Sequence, residues 1–108
     1  MKRGDLVLVA VPGDYGKPRP ALIVQSDLFS EHPSLTICLV TTHLQTTPLF
    51  RYQVAAHPDN GLSADSQVQI DKIVTIPRQK AGPVIGSLTT RQMAEITRLA
   101  AFWLGVGD

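Results

Sequence analysis

Four polar residues stand out because each lies where an apolar run begins or ends. Arg19 precedes the run Ala21-Leu22-Ile23-Val24, Thr41 and Thr42 close the run that contains Ile37 to Val40, and Asp71 follows Gln67-Val68-Gln69-Ile70. An arginine is a permanent cationic fork, a threonine supplies a hydroxyl donor, and an aspartate accepts protons. At the rims of a compact β domain, such groups are well placed to assemble a site. Each also has an ordinary reading: Arg19 as a surface cation, the threonines as β formers, Asp71 as a turn or ion-pair residue. By residue type alone the ordinary readings outweigh the functional ones.

Other chemistries find less support. His32, His43 and His57 are scattered, and Cys38 is the sole cysteine, so no metal-ligand spacing is present. Cys38 sits in Ile37-Cys38-Leu39-Val40 and reads as a small core residue. His43 follows the threonines and titrates in a useful range, but no motif supports it. Neither a G-x-S-x-G, a phosphate-cradling glycine loop nor a G-x-G-x-x-G occurs, so Gly13 and Gly16 read as turn formers.

The elements that must position these residues follow from the pattern. Leu6 to Val11 and Ala21 to Val24 read as buried strands, separated by a loop dense in Pro and Gly. Pro20 marks a strand start or an edge, because it lacks an amide donor. Ser26 to Phe29 begins one helical turn, and His32-Pro33 breaks it. Ser34 to Thr42 gives a third strand. Leu49 to Ala55 gives a fourth, with Phe50, Tyr52 and Val54 on one face. Ser66 to Asp71 alternates as a half-buried strand, Ile73 to Ile76 continues it after Lys72, and Val84 to Gly86 adds a short one. Thr89 and Gln92 form a capping box, with Leu88 and Met93 as a staple. Met93, Ile96, Leu99, Ala100, Trp103 and Leu104 then repeat at helical spacing up to Gly105. Trp103 reads as a packing residue. The expected fold is β-rich (α+β), a small barrel of bent antiparallel strands with a C-terminal α-helix.

Its 108 residues suit one domain spanning 1–108, and 44% hydrophobic content provides a core. Pairing into a dimer would let so small a domain bury more surface, and the apolar residues near Phe29 and Leu44 suit either an interface or a core. No secretory signal or membrane-length apolar run is evident, and one cysteine fits a reducing compartment, so the expectation is a cytoplasmic protein without a membrane partner. A net charge of +1 does not announce a nucleic-acid binder. Any such site must be a local patch, for which Lys2, Arg3, Lys17 and Arg19 are available, against the alternative of a solvated mixed surface.

Taken in order, four segments resemble the MazF/PemK family of toxins. They are Arg3-Gly4-Asp5 before a strand with Lys17-Pro18-Arg19-Pro20-Ala21-Leu22-Ile23-Val24, then Leu39-Val40-Thr41-Thr42, then Ser66-Gln67-Val68-Gln69-Ile70-Asp71 with Ile73 and Ile76, and the helix from Leu88 to Leu104. The resemblance covers nearly the whole chain. It implies an SH3-like, CcdB–MazF-type barrel, a homodimer, cleavage of single-stranded RNA with no cofactor or metal, and neutralisation by a cognate antitoxin. By position, Arg19 matches the family's catalytic arginine, Thr41 its catalytic threonine with Thr42 at the neighbouring Ser position, and Asp71 an acidic residue near the scissile phosphate. The chain departs from the pattern in three places. The loop before Arg19 is short and offers Asp14, Tyr15 and Lys17 in place of Gly-x-Glu-Gln-Gly. Gln69 stands where some members carry an arginine, and Lys72 where glutamine is common.

Metal-free cleavage of RNA uses the ribose 2′-hydroxyl as nucleophile. The enzyme must take the 2′ proton, stabilise charge around phosphorus and protonate the leaving 5′ oxygen. Arg19 suits the charge-stabilising task, since its fork holds two phosphate oxygens and stays charged. Thr41 can donate to a phosphate oxygen, and Asp71 either accepts the 2′ proton or orients Arg19. For RNA binding, Lys17, Arg51, Arg78 and Lys80 are candidate backbone contacts, Thr42 and Gln69 adjoin the catalytic positions, and Tyr15 is a base-stacking candidate or a loop anchor. Two readings compete with the ribonuclease: a CcdB-like DNA gyrase poison, and a silent module that retains only antitoxin binding.

Overall fold

A computed structural model describes residues 1–10, 17–46 and 49–107. The strands are β1 (Asp5–Ala10), β2 (Pro18–Ile23), β3 (Ser34–Thr41), β4 (Arg51–Val54), β5 (Ser66–Pro77) and β6 (Ala81–Ser87), followed by helix α1 (Thr90–Trp103). They form one antiparallel sheet in the order β4-β5-β3-β2-β1-β6. The β-rich class with a terminal helix is as expected; the hydrogen-bonded order is open, with β4 and β6 as its edges, and does not close into a barrel.

Strict alternation divides the strands between two cores. Leu6, Leu22, Cys38, Val40, Val54, Val68 and Ile70 point to the face covered by α1, where they meet Leu88, Met93 and Ile96. Val7, Val9, Ala21, Ile23, Leu35 and Ile37 point to the other face, with Val74, Ile76 and Ala81 packed against them. Val74 and Ile76 pair with Ile37 and Leu35, and Ala81 with Val9, so they extend this second core across neighbouring strands. Adjacent residues therefore serve opposite cores, and runs such as Leu6-Val7 and Ile37-Cys38 are buried on both sides.

Helix α1 carries the expected capping box: the Thr89 side chain accepts from the Gln92 amide at 3.1 Å and the Gln92 side chain accepts from the Thr89 amide at 2.9 Å. Gly105 follows with φ of 85°, a left-handed stop that glycine adopts without strain. The Arg3 guanidinium ties this helix to the sheet, donating to the Val24 carbonyl and to the Thr97 hydroxyl. Arg3 thus acts as an internal staple. Cys38 is fully buried, and burial pushes its thiol up to about 12, as suits a packing residue.

The sequence suggests a strand from Ser66 to Asp71 continued by another from Ile73 to Ile76; these form one twelve-residue strand, β5. A register shift separates Cys38↔Ile73 from Val40↔Val68, so residues 69–72 have no partner on β3. A bulge of this kind bends the strand and re-aims side chains. Beyond it, β5 pairs with β3 and no longer with β4. Strand β2 begins at Pro18, earlier than expected; its pairing with β3 starts only at Ala21, so the Pro18–Pro20 stretch is flanked by β1 alone.

Candidate active site

Strand register brings the sequence candidates to one face. Arg19 alternates with Ala21 and Ile23, and Thr41 with Leu39 and Ile37, so both share the face of the inner core. The β2–β3 pairing ends at Ala21↔Leu39, and Arg19 and Thr41 each lie two residues beyond that last pair, on the same face of neighbouring strands. Across β3 and β5, Thr41 pairs with Gln67, and across β5 and β4, Gln67 pairs with Gln53. One row therefore runs Thr41, Gln67, Gln53 over three strands. A second row, two residues along, pairs Arg51 with Gln69.

Asp71 lies in the β5 bulge, and its Oδ1 is 3.3 Å from Arg51 Nε. Their side chains are 18% and 9% exposed respectively. The two charges are in contact, yet neither atom makes a hydrogen bond, because the N–H is not aimed along the line between them. Both atoms consequently retain bonding capacity inside the protein. The partner brought to Asp71 by this contact is Arg51, which the sequence marks as a phosphate contact.

Thr41 Oγ1 accepts from the His43 amide at 3.0 Å, which fixes the oxygen and leaves its proton to donate outward. This amide contact is what links His43 to the threonine; the residue itself is exposed, as are Thr42, Lys17 and Arg19. Lys80 immediately precedes Ala81, which pairs with Val9 and, one strand further, is level with Arg19. Arg78 is elsewhere. Its guanidinium donates to the His32 carbonyl at 2.7 Å and to the Phe29 carbonyl at 3.2 Å, pinning the turn around residues 27–29. Tyr15 lies outside the described residues.

A pocket of about 400 Å³ opens beside Arg51 at the β4 edge, lined also by Gln45, Thr46, Tyr52, Gln53, Gln67 and Leu99. A second, of about 500 Å³, shares Tyr52 and Leu99 and continues along α1 past Arg91, Glu95 and Arg98. Tyr52 donates to Glu95 Oε2 at 2.8 Å. Burial, together with that carboxylate, pushes the phenol up to about 12, so Tyr52 acts as a neutral wall and donor. No group of three or more potential metal ligands occurs among the described residues.

Gln67 is the residue that sequence reasoning passes over. It reads as the polar half of an alternating strand, yet it is 5% exposed and fully hydrogen-bonded. A buried amide in a strand that otherwise faces inward with Val and Ile is a signal in principle, but two of its three bonds go to the backbone of Gln45, which lies in neither strand nor helix.

Comparisons with known proteins agree with this architecture. Residues 2–104 match the family described as the PemK-like, MazF-like toxin of type II toxin-antitoxin systems. A protein of Mycolicibacterium smegmatis named "Probable endoribonuclease MazF" is 38% identical over 107 residues, covering 98% of each chain. Among solved structures, the Mycobacterium tuberculosis toxin MazF-mt6 superposes with a TM-score of 0.82 at 24% identity, covering 96% of this chain and 99% of its own. A mycobacterial endoribonuclease in complex with its cognate antitoxin superposes with a TM-score of 0.80 at 26% identity, covering 100% and 98%. The chain belongs to the PemK-like, MazF-like toxin family.

Proposed function

We propose that this chain is an endoribonuclease toxin that cuts single-stranded RNA at short sequences without a metal, by attack of the ribose 2′-hydroxyl on the adjacent phosphate. The products are a 2′,3′-cyclic phosphate and a 5′-hydroxyl. Family membership and the endoribonuclease relative support the enzyme class. The observation that carries the site is the single sheet face bearing Arg19, Thr41 and the Arg51–Asp71 pair.

Arg19 holds the equatorial phosphate oxygens and stabilises the charge that develops on them. Thr41 donates its hydroxyl proton to the same phosphate, its oxygen anchored by the His43 amide. Asp71 orients Arg51 and is the candidate acceptor of the 2′ proton, while Arg51, nearly buried, adds fixed positive charge at the mouth of the pocket. Lys17, Thr42, Gln69 and Lys80 flank these residues and contact the RNA strand. Tyr15, outside the described residues, stays a base-stacking candidate by residue type alone.

The partner that restrains the toxin is a cognate antitoxin, as in the mycobacterial complex of the same fold. The active form is a homodimer. Phe102, Trp103, Leu104 and Val106 are all more than half exposed at the end of α1, an apolar surface that a second copy would cover. Leu44 and Phe29, at 48% and 58% exposure, belong to the surface and not to a core. No helix among the described residues is long and apolar enough to cross a membrane, and the proposed site of action is the cytoplasm. The named relatives are MazF toxins and endoribonucleases, which favours this reading over gyrase poisoning.

The test compares wild type with Arg19→Ala on a long unstructured RNA in EDTA. Wild type should cut at discrete sites, and Arg19→Ala should lose at least about a hundredfold in rate while remaining folded and dimeric. Cleavage by Arg19→Ala at the wild-type rate would remove Arg19 from the mechanism, and intact RNA with folded wild type would reject the ribonuclease.

A further inference from the structure

The segment after Thr41 is exposed from Thr42 to Thr46 and belongs to no strand or helix. Backbone of this kind has little of its own to fix its path. Three hydrogen bonds tie it to the sheet. The His43 amide donates to Thr41 Oγ1 at 3.0 Å, the Gln45 amide donates to Gln67 Oε1 at 3.0 Å, and the Gln45 carbonyl accepts from Gln67 Nε2 at 2.8 Å.

Gln67 is suited to act as the anchor. It is 5% exposed within β5, and its Nε2 also donates to Gln53 Oε1 at 3.1 Å on the neighbouring strand. Towards Gln45 its carboxamide presents one acceptor and one donor side by side, as the backbone of an adjacent strand would. Both bonds close on a single residue, so they set the position of the chain there and also its direction.

The clamp bears on the site through His43, two residues before Gln45. The His43 amide is what fixes Thr41 Oγ1. Thr41 and Gln67 are themselves register partners, so the chain leaves β3 beside its anchor and returns to it at Gln45. Without the clamp, the His43 amide would ride on a free segment, and the Thr41 hydroxyl could turn among its staggered rotamers.

We propose that Gln67 is a positioning residue for RNA cleavage: it clamps Gln45, Gln45 holds the His43 amide in place, and that amide aims the Thr41 hydroxyl at the phosphate. The proposal rests on the ribonuclease reading above and on the part given there to Thr41.

The experiment uses the full chain and one RNA with a single cut site, with kcat and KM read for each variant. Gln67→Met fills similar buried space and cannot bridge Gln45; kcat should fall about tenfold, with KM within about twofold of wild type. Gln45→Pro breaks the clamp from its exposed side by removing the amide that Gln67 accepts from, and should lower kcat by a similar factor. Either change made in Thr41→Ala, read at excess enzyme over long times, should cost less than about twofold more, because the clamp acts through that hydroxyl. Amide hydrogen exchange follows the segment itself: the His43 and Gln45 amides should be protected in wild type and released in Gln67→Met, with β3 and β5 still protected. A tenfold loss that persists in the Thr41→Ala background would overturn the proposal, as would wild-type kcat in a variant whose amides are released. If Gln67→Met fails to fold, Gln45→Pro decides by the same comparison. Intact RNA with folded wild type would instead overturn the ribonuclease reading, and a wild-type rate in Thr41→Ala would remove the threonine and the clamp together.

Discussion

Replacing Arg51 with Met tests whether the Arg51–Asp71 contact is an energetic link or a coincidence of packing. At 3.3 Å and an effective dielectric of ~20, the two charges attract by about 5 kcal/mol before desolvation is counted. The side chains are only 9% and 18% exposed, so desolvation offsets a large part of that, and the misaligned N–H forgoes a hydrogen bond. A net coupling of about 2 kcal/mol remains. Arg51→Met alone leaves the Asp71 carboxylate largely buried beside an apolar group, and should cost about 3 kcal/mol. For a domain of this size the melting temperature should fall by roughly 10 °C or more. Asp71→Asn should cost about 2 kcal/mol, and the double variant no more than about the cost of Arg51→Met alone. Urea unfolding of all four proteins at one protein concentration measures the cycle. Additivity within about 0.5 kcal/mol would show that the charges do not sense each other, and the role given to Asp71 in orienting Arg51 would be withdrawn.

Further outcomes follow from the core and the titrating groups. Ile96→Ala opens a cavity where α1 meets the sheet, at a residue with 0% exposure, and should destabilise by about 3 kcal/mol or more in the same urea assay. A loss below about 1 kcal/mol would mean that the helix is not seated on this core. The tyrosinate absorbance of the folded protein should include a late step near pH 12 that Tyr52→Phe removes. Because the folded value is raised from 10.0 to about 12, the Tyr52 contribution to stability is intact below pH 10 and is lost as pH rises towards 12. Titration of both tyrosines together near pH 10 would contradict the Tyr52–Glu95 contact.

Local chemistry made much of this molecule legible in advance. Thr89, Gln92 and Gly105 are read without knowledge of the fold, because capping and left-handed stops depend on residues a few positions apart. The alternation of Phe50, Tyr52 and Val54 likewise placed all three against one core. What escaped the sequence depends on distant partners. Arg51 and Asp71 are twenty positions apart in the chain and meet because β4 pairs Arg51 with Gln69, two residues before Asp71 on β5. Gln67 is anchored by Gln45, in a segment whose path no periodicity specifies. Arg78 reads as a basic residue beside a loop, yet its guanidinium is spent on two carbonyls of the turn it pins.

The ends of the RNA fragments report the chemistry of the cut directly. Purified protein is incubated with a defined single-stranded RNA in EDTA, and the fragments are then challenged with polynucleotide kinase. Fragments whose 5′ ends accept phosphate immediately, and whose upstream partners carry a 2′,3′-cyclic phosphate, are the predicted result. Fragments bearing 5′-phosphates, or cleavage that appears only when a divalent ion is restored, would contradict the proposed metal-independent attack by the 2′-hydroxyl.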